Sequence, residues 1–182
     1  MTVDKFSRRQ FLQAGGIGVF GAFARRADAW SSQKRDLTLY VGTYTSGNSE
    51  GIYVYRIDRA TGALSKVSSI MSVNPSFLTI DRSKRYLYAV NEVGEYLGKP
   101  GGGVSAFAID PATGNLRLLN EQATQGADPC HLSIDNRKRT LLVANYTGGS
   151  VTVLPVRTDG TLAMAMDVKQ HEGSGIKEQQ KG

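Results

Sequence analysis

Long stretches of this chain recur at a spacing near fifty residues. Gly51 to Leu64 reads GIYVYRIDRATGAL, and Gly103 to Leu116 reads GVSAFAIDPATGNL, an offset of 52. Asn74 to Asn91, NPSFLTIDRSKRYLYAVN, returns 54 residues later as DPCHLSIDNRKRTLLVAN from Asp128 to Asn145. Ser150 to Leu162, SVTVLPVRTDGTL, is a further copy of the first pattern, and Leu39 to Tyr44, LYVGTY, matches the end of the second. A short unit repeated at a fixed period buries its apolar face against its neighbours, so the fold must be an array of similar packed units.

The units are made of strands. YVYRI, FLTI, YLYAV, VSAFAI, HLSI, LLVAN and VTVLPV are short and rich in β-branched or aromatic residues. Asp58 to Gly62 and Asp110 to Gly114 supply an aspartate that caps a turn and a glycine that accepts positive φ. No sustained 3.6-residue apolar period follows residue 30, so helix is scarce. The expected fold is all-β: a β-propeller of four-stranded antiparallel blades. SFLTID, RYLYAVN, VSAFAID and LRLLNEQ form one blade. HLSID, TLLVAN, SVTVLPV and MAMDVK form the next. LTLYVGT, GIYVYRID and ALSKVSS form a blade that lacks an innermost strand.

The N-terminus reads differently. Ser7-Arg8-Arg9-Gln10-Phe11-Leu12 resembles the twin-arginine export motif. Ala14 to Ala24 is an uncharged run of eleven residues, too short for the roughly 20 that span a bilayer but suited to a signal core. Ala27-Asp28-Ala29 offers small-x-small before a cut at Trp30. The expected organisation is a signal peptide at 1–29, a linker at 30–36, a partial propeller at 37–175 and a divergent polar tail at 176–182. Arg8 and Arg9 would engage the twin-arginine export machinery, with membrane contact only before cleavage and a periplasmic or secreted destination. Gly16 to Gly21 fits G-x-G-x-x-G, but no strand precedes it, so it is not a dinucleotide loop.

The formal charge is +6, and loss of the signal with its five cations and two carboxylates leaves +3. That removes most of the case for nucleic acid. One cysteine excludes an internal disulfide framework, and His131 and His171 are too far apart to read as a metal pair. No metal or other cofactor is expected.

LYVGTYT, NPSFLTID, RYLYAVNE, GVSAFAIDPATGNL, DPCHLSID, LLVANYTGGSVTVLP and HEGSG, in that order, resemble the lactonase family of seven-bladed propellers. Its members include a bacterial 6-phosphogluconolactonase, and its relatives include carboxymuconate lactonizing enzymes. The resemblance covers about Leu37 to Gly175. It implies an exported hydrolase that cleaves a sugar lactone by water attack on the ring carbonyl. Seven such blades need about 350 residues, so about three are expected here, and the chain reads as a truncated, inactive fragment. The alternatives are a non-catalytic binding propeller and a cycloisomerase relative.

In a propeller, small molecules gather at one mouth of the central channel. The loops at Val73 to Pro75, Asp128 to Cys130, Asn91 to Gly103 and Asn145 to Gly149 share that mouth. His131 begins an innermost strand and is the candidate catalytic residue, an imidazole able to hold or activate a water. The resemblance places the family's further His, Arg and Glu residues on later blades. Tyr44, Asn91, Glu92, Asn145 and Tyr146 follow or end the second strands and are the candidate substrate-binding groups. Cys130 adjoins His131, but alternation along a strand points them apart, so Cys130 reads as a small buried residue. Gly101 to Gly103 and Gly148-Gly149 read as turns. The basic hairpins Arg82 to Arg85 and Asn136 to Arg139 fall on the opposite face and read as solvated turns.

Overall fold

The computed structural model describes residues 36–173, apart from Asn136 and Lys138. The signal segment at 1–29, all of the linker but Asp36, and the tail at 176–182 lie outside the described residues. The described chain is strand and turn throughout. Blade one holds β1 (Leu37–Gly42), β2 (Gly51–Ile57) and β3 (Leu64–Met71), in that order. Blade two holds β4 (Leu78–Ile80), β5 (Tyr86–Asn91), β8 (Gly103–Ile109) and β9 (Leu116–Ala123). Between β5 and β8 stand two short strands, β6 (Glu95–Tyr96) and β7 (Lys99–Pro100). Blade three holds β10 (Pro129–Asp135), β11 (Thr140–Asn145), β12 (Ser150–Pro155) and β13 (Asp167–Gln170). All pairings are antiparallel. This is the expected all-β array of blades, the first with three strands.

Burial follows the position of each blade. Blade two lies between the others, so β5 is buried on both faces. Leu87 and Ala89 pack with Ile52 and Phe107 on the side of blade one. Tyr88 and Val90 pack with Leu132, Leu141, Val143 and Leu154 of blade three. Each such large apolar side chain, fully buried, contributes about 1.5–3 kcal/mol. That two-sided demand is why YLYAV reads as an unbroken apolar run rather than an alternation. Close approach also selects glycine: a Cβ on Gly42 would fall 1.8 Å from the Pro75 carbonyl oxygen.

Two expectations need correction. Asn91 to Gly103 is not a plain loop. It carries the β6–β7 hairpin around Leu97 and Gly98, with φ of +53° and +71°. A two-residue turn of this kind needs positive φ at both positions, and a leucine at the first conceals it in the sequence. The last strand of blade three is shorter than MAMDVK and begins at Asp167, leaving Met164 and Met166 exposed. Continuing the ladder from Val153↔Asp167 would set Pro155 opposite residue 165, and proline has no N–H to donate there.

Candidate functional site

The second strands β5 and β11 end at equivalent repeat positions, and β1 ends one residue earlier in the repeat. Thr43-Tyr44, Asn91-Glu92 and Asn145-Tyr146 occupy equivalent repeat positions at one mouth of the array. Asn91 is fully buried. Its Nδ2 donates to the Val73 carbonyl at 2.9 Å and to Ser72 Oγ at 3.2 Å. The Ser105 hydroxyl lies 2.8 Å from Asn91 Oδ1 and 2.9 Å from Glu121 Oε1, which also accepts the Tyr96 hydroxyl at 2.5 Å. Asn145 is buried as well, and its Nδ2 donates to Ser150 Oγ at 3.0 Å and Thr152 Oγ1 at 2.9 Å. Its Oδ1 is buried without a partner among the described residues. The Asn91 amide thus ties the connection from blade one to blade two, and the Asn145 amide turns into its own blade.

The residues that follow them face outward. Tyr44 and Tyr146 are each 56% exposed. The Tyr44 hydroxyl donates to Glu92 Oε2 at 3.0 Å, a bond from blade one to blade two. The Ser76 hydroxyl donates to the same oxygen. The bond to Glu92, and next to it burial, raises the Tyr44 phenol above its ordinary value. Asn74 holds this corner together. Its φ is +40°, its Oδ1 accepts the Thr45 N–H at 2.9 Å, and its Nδ2 donates to the Glu92 carbonyl at 3.1 Å. Its repeat equivalent, Asp128, also has positive φ, and its carbonyl accepts the Tyr146 N–H at 2.8 Å.

His131 is exposed at the start of the innermost strand of blade three. The Phe77 ring lies against it, with centroids 4.3 Å apart. Cys130 sits beside it in a β-bulge, where the register jumps from Pro129↔Asn145 to His131↔Ala144. Strict alternation therefore does not hold at Cys130, which is half-buried rather than buried. Its thiol is pushed up by burial and then by the charges of Glu92 and Asp128, so a thiolate is disfavoured.

Tyr44, Ser76, Glu92 and Cys130 thus adjoin one another, with Phe77 next after Ser76, just before β4, and His131 next after Cys130 on β10. The repeats held a signal for Ser76 and Phe77, because they are the equivalents of Cys130 and His131. Among the described residues no group of three or more His, Cys, Asp or Glu side chains is placed to hold a metal ion. A carboxylate, two phenols and an imidazole at one mouth suit a neutral, hydroxyl-rich ligand.

Comparisons with known proteins agree with this architecture. A 6-phosphogluconolactonase of Bacillus subtilis is 38% identical over 142 residues, covering 78% of this chain and 39% of the relative. The periplasmic gluconolactonase of Pseudomonas aeruginosa superposes with a TM-score of 0.72 at 39% identity, covering 79% of this chain and 41% of that one. A Bacteroides fragilis structure superposes with a TM-score of 0.75 at 43% identity, covering 82% and 40%. The chain thus spans about two fifths of the length of the relatives it matches. The family model described as Lactonase, 7-bladed beta-propeller, matches residues 38–182, and the chain belongs to that family.

Proposed function

We propose that this chain supplies the first three blades of an exported sugar-lactone hydrolase. The observation that carries the reading is the Tyr44–Glu92 bond, which joins two blades at the mouth where His131 is exposed. Similarity to a 6-phosphogluconolactonase and to a periplasmic gluconolactonase supports the lactone as substrate. In this reading Glu92 and the Tyr44 and Tyr146 hydroxyls bind the ring hydroxyls. Glu92 Oε2 already accepts two hydrogen bonds, so Oε1 is the oxygen that faces substrate. Asn91 and Asn145 support the rim from within the blades.

His131 acts as general base on a water. The water adds to the lactone carbonyl, the ring C–O bond breaks, and the alkoxide takes a proton to give the open hydroxy acid. Export rests on Arg8-Arg9, the apolar run to Ala24 and the cleavage pattern ending at Ala29, which would define segment 1–29 as a signal and Trp30 as the first mature residue. The periplasmic location of the P. aeruginosa relative supports the same destination.

The test is base uptake at constant pH with 6-phosphogluconolactone and glucono-δ-lactone, using the full-length protein and His131→Ala. The expected result is a loss of about 10²–10⁴ in kcat, the usual contribution of a positioned general base. Undiminished hydrolysis in the variant removes His131 from the mechanism, and no hydrolysis of either lactone by the parent protein removes the reading.

A further inference from the structure

A second concavity lies at the other end of the blades. β5 runs from Asn91 at the mouth to Tyr86 at the far end, about 17 Å away at roughly 3.4 Å per residue. There, blades two and three enclose a cleft of about 350 Å³. Its apolar lining includes Ile134, Val156 and the rings of Tyr86 and Tyr88. Blade two contributes Arg82 and Arg85 to it, and blade three contributes Arg139 and Arg157.

The carboxylates of Asp81 and Asp159 are committed to turns. Asp81 accepts the backbone N–H groups of Ser83, Arg85 and Tyr86. Asp159 accepts the backbone N–H and hydroxyl of Thr161. Arg85 and Arg157 are steadied by contacts that leave N–H groups over. Arg85 stacks on Tyr86 at 5.3 Å and donates from Nε to Ser83 Oγ at 3.3 Å. Arg157 donates from Nη1 to the Leu162 carbonyl at 2.8 Å. Among the described residues, the ion pairs Lys66–Glu50 and Lys169–Asp167 involve none of Arg85, Arg139 and Arg157.

We propose that this cleft binds a phosphate monoester of about sugar size, with its phosphate on Arg85, Arg139 and Arg157 and its body against Tyr86 and Val156. Guanidinium forks match phosphate oxygens, and a dianion with three free oxygens can engage arginines from two blades at once. A carboxylate, with one charge and two oxygens, meets only part of the set. The volume lies at the small end of the range for organic ligands, about 300–1,000 Å³. This site is separate from the mouth and does not depend on the lactone reading.

Calorimetric titration of the full chain with glucose 6-phosphate, inorganic phosphate and glucose tests it. Saturable binding of glucose 6-phosphate is expected, with weaker competing binding of inorganic phosphate and none of glucose. Arg139→Gln should weaken binding about tenfold or more, as befits a lost charge-assisted hydrogen bond. Arg139→Lys should retain part of it, and Arg117→Gln, outside the cleft, should leave it unchanged. Melting temperatures of all three variants confirm that they fold. The proposal is overturned by no saturable binding at millimolar ester, or by ester binding that survives Arg139→Gln. Free phosphate binding more tightly than the ester overturns it too, since the apolar lining would then contribute nothing.

Discussion

Phe77 and His131 occupy the same place in successive repeats, and their rings meet with centroids 4.3 Å apart. Equivalent residues touch because innermost strands converge on the axis of the array. The contact sets the exposed imidazole against an apolar plane, so in the proposed mechanism Phe77 would position His131. Phe77→Ala is expected to lower kcat for lactone hydrolysis with little change in KM, and Phe77→Tyr to restore most of it. A variant that changes KM alone would assign Phe77 to substrate binding instead.

Glu92 should matter more for binding than for turnover. Glu92→Gln keeps the size and an acceptor oxygen but loses the charge that accepts from Tyr44 and Ser76. A rise in KM of about tenfold is expected, which corresponds to roughly 1.4 kcal/mol. Tyr44→Phe should show a smaller rise, since it removes only one of the two bonds. Steady-state kinetics of the two variants would separate these contributions.

The blades are latched by phenols, Tyr88 buried and Tyr40 half-buried. The Tyr88 hydroxyl donates to the Gly160 carbonyl of blade three at 3.1 Å, and the Tyr40 hydroxyl donates to the Gly114 carbonyl of blade two at 2.8 Å. Tyr88→Phe leaves a carbonyl without its donor and should destabilise the fold by about 1–3 kcal/mol. Chemical denaturation would read this as a lower midpoint with an unchanged slope. The equivalent of Tyr88 in blade three is Leu142, which is partly exposed.

Acid should loosen the turns. Asp58, Asp110 and Asp159 are held below the ordinary carboxyl value by hydrogen bonds from Ala60 and Thr61, from Thr113 and Ala112, and from Thr161. Burial pushes the Asp81 carboxyl up, but bonds from Ser83, Tyr86 and Arg85 outweigh it and its value also falls. A depressed folded value means the fold favours the ionised form. The stability gained is present above the unfolded value of about 3.9 and is lost as pH falls through the lower folded value. The melting temperature is expected to be level from about pH 7 to 5 and to drop below about pH 4. Asp81→Asn should melt lower at neutral pH and show a shallower acid drop.

The Cys130 thiol is raised by burial and by the charges of Glu92 and Asp128. It should react with iodoacetamide at neutral pH more slowly than free cysteine, whose value is about 8.5. Glu92→Gln removes one of those charges and should speed the reaction. Labelling as fast as free cysteine would contradict the assigned surroundings.

Sequence by itself determined the repeat, and with it the order of strands within each blade, the three blades and the three-stranded first blade, but not the β6–β7 hairpin. Local chemistry was enough for this, because short runs of β-branched and aromatic residues and turns carrying Asp and Gly depend on near neighbours in the chain. It also marked the mouth, since equivalent strand ends must share one end of the array. Tertiary structure decided which side chains at that mouth are spent and which are open. Asn91 and Asn145 look like ligands in the sequence, yet both are buried, with the Asn91 amide bonded to the connection from blade one and the Asn145 amide to its own blade. Ser76 and Asn74 become parts of the site only because they meet Glu92 from 16 and 18 residues away. The bulge that sets Cys130 apart from strict alternation depends on pairing with β11. The arginine cleft needs two blades packed side by side before its charges converge. Hydrogen-bond partners, burial and converging charge are properties of space between repeats, and no single repeat encodes them.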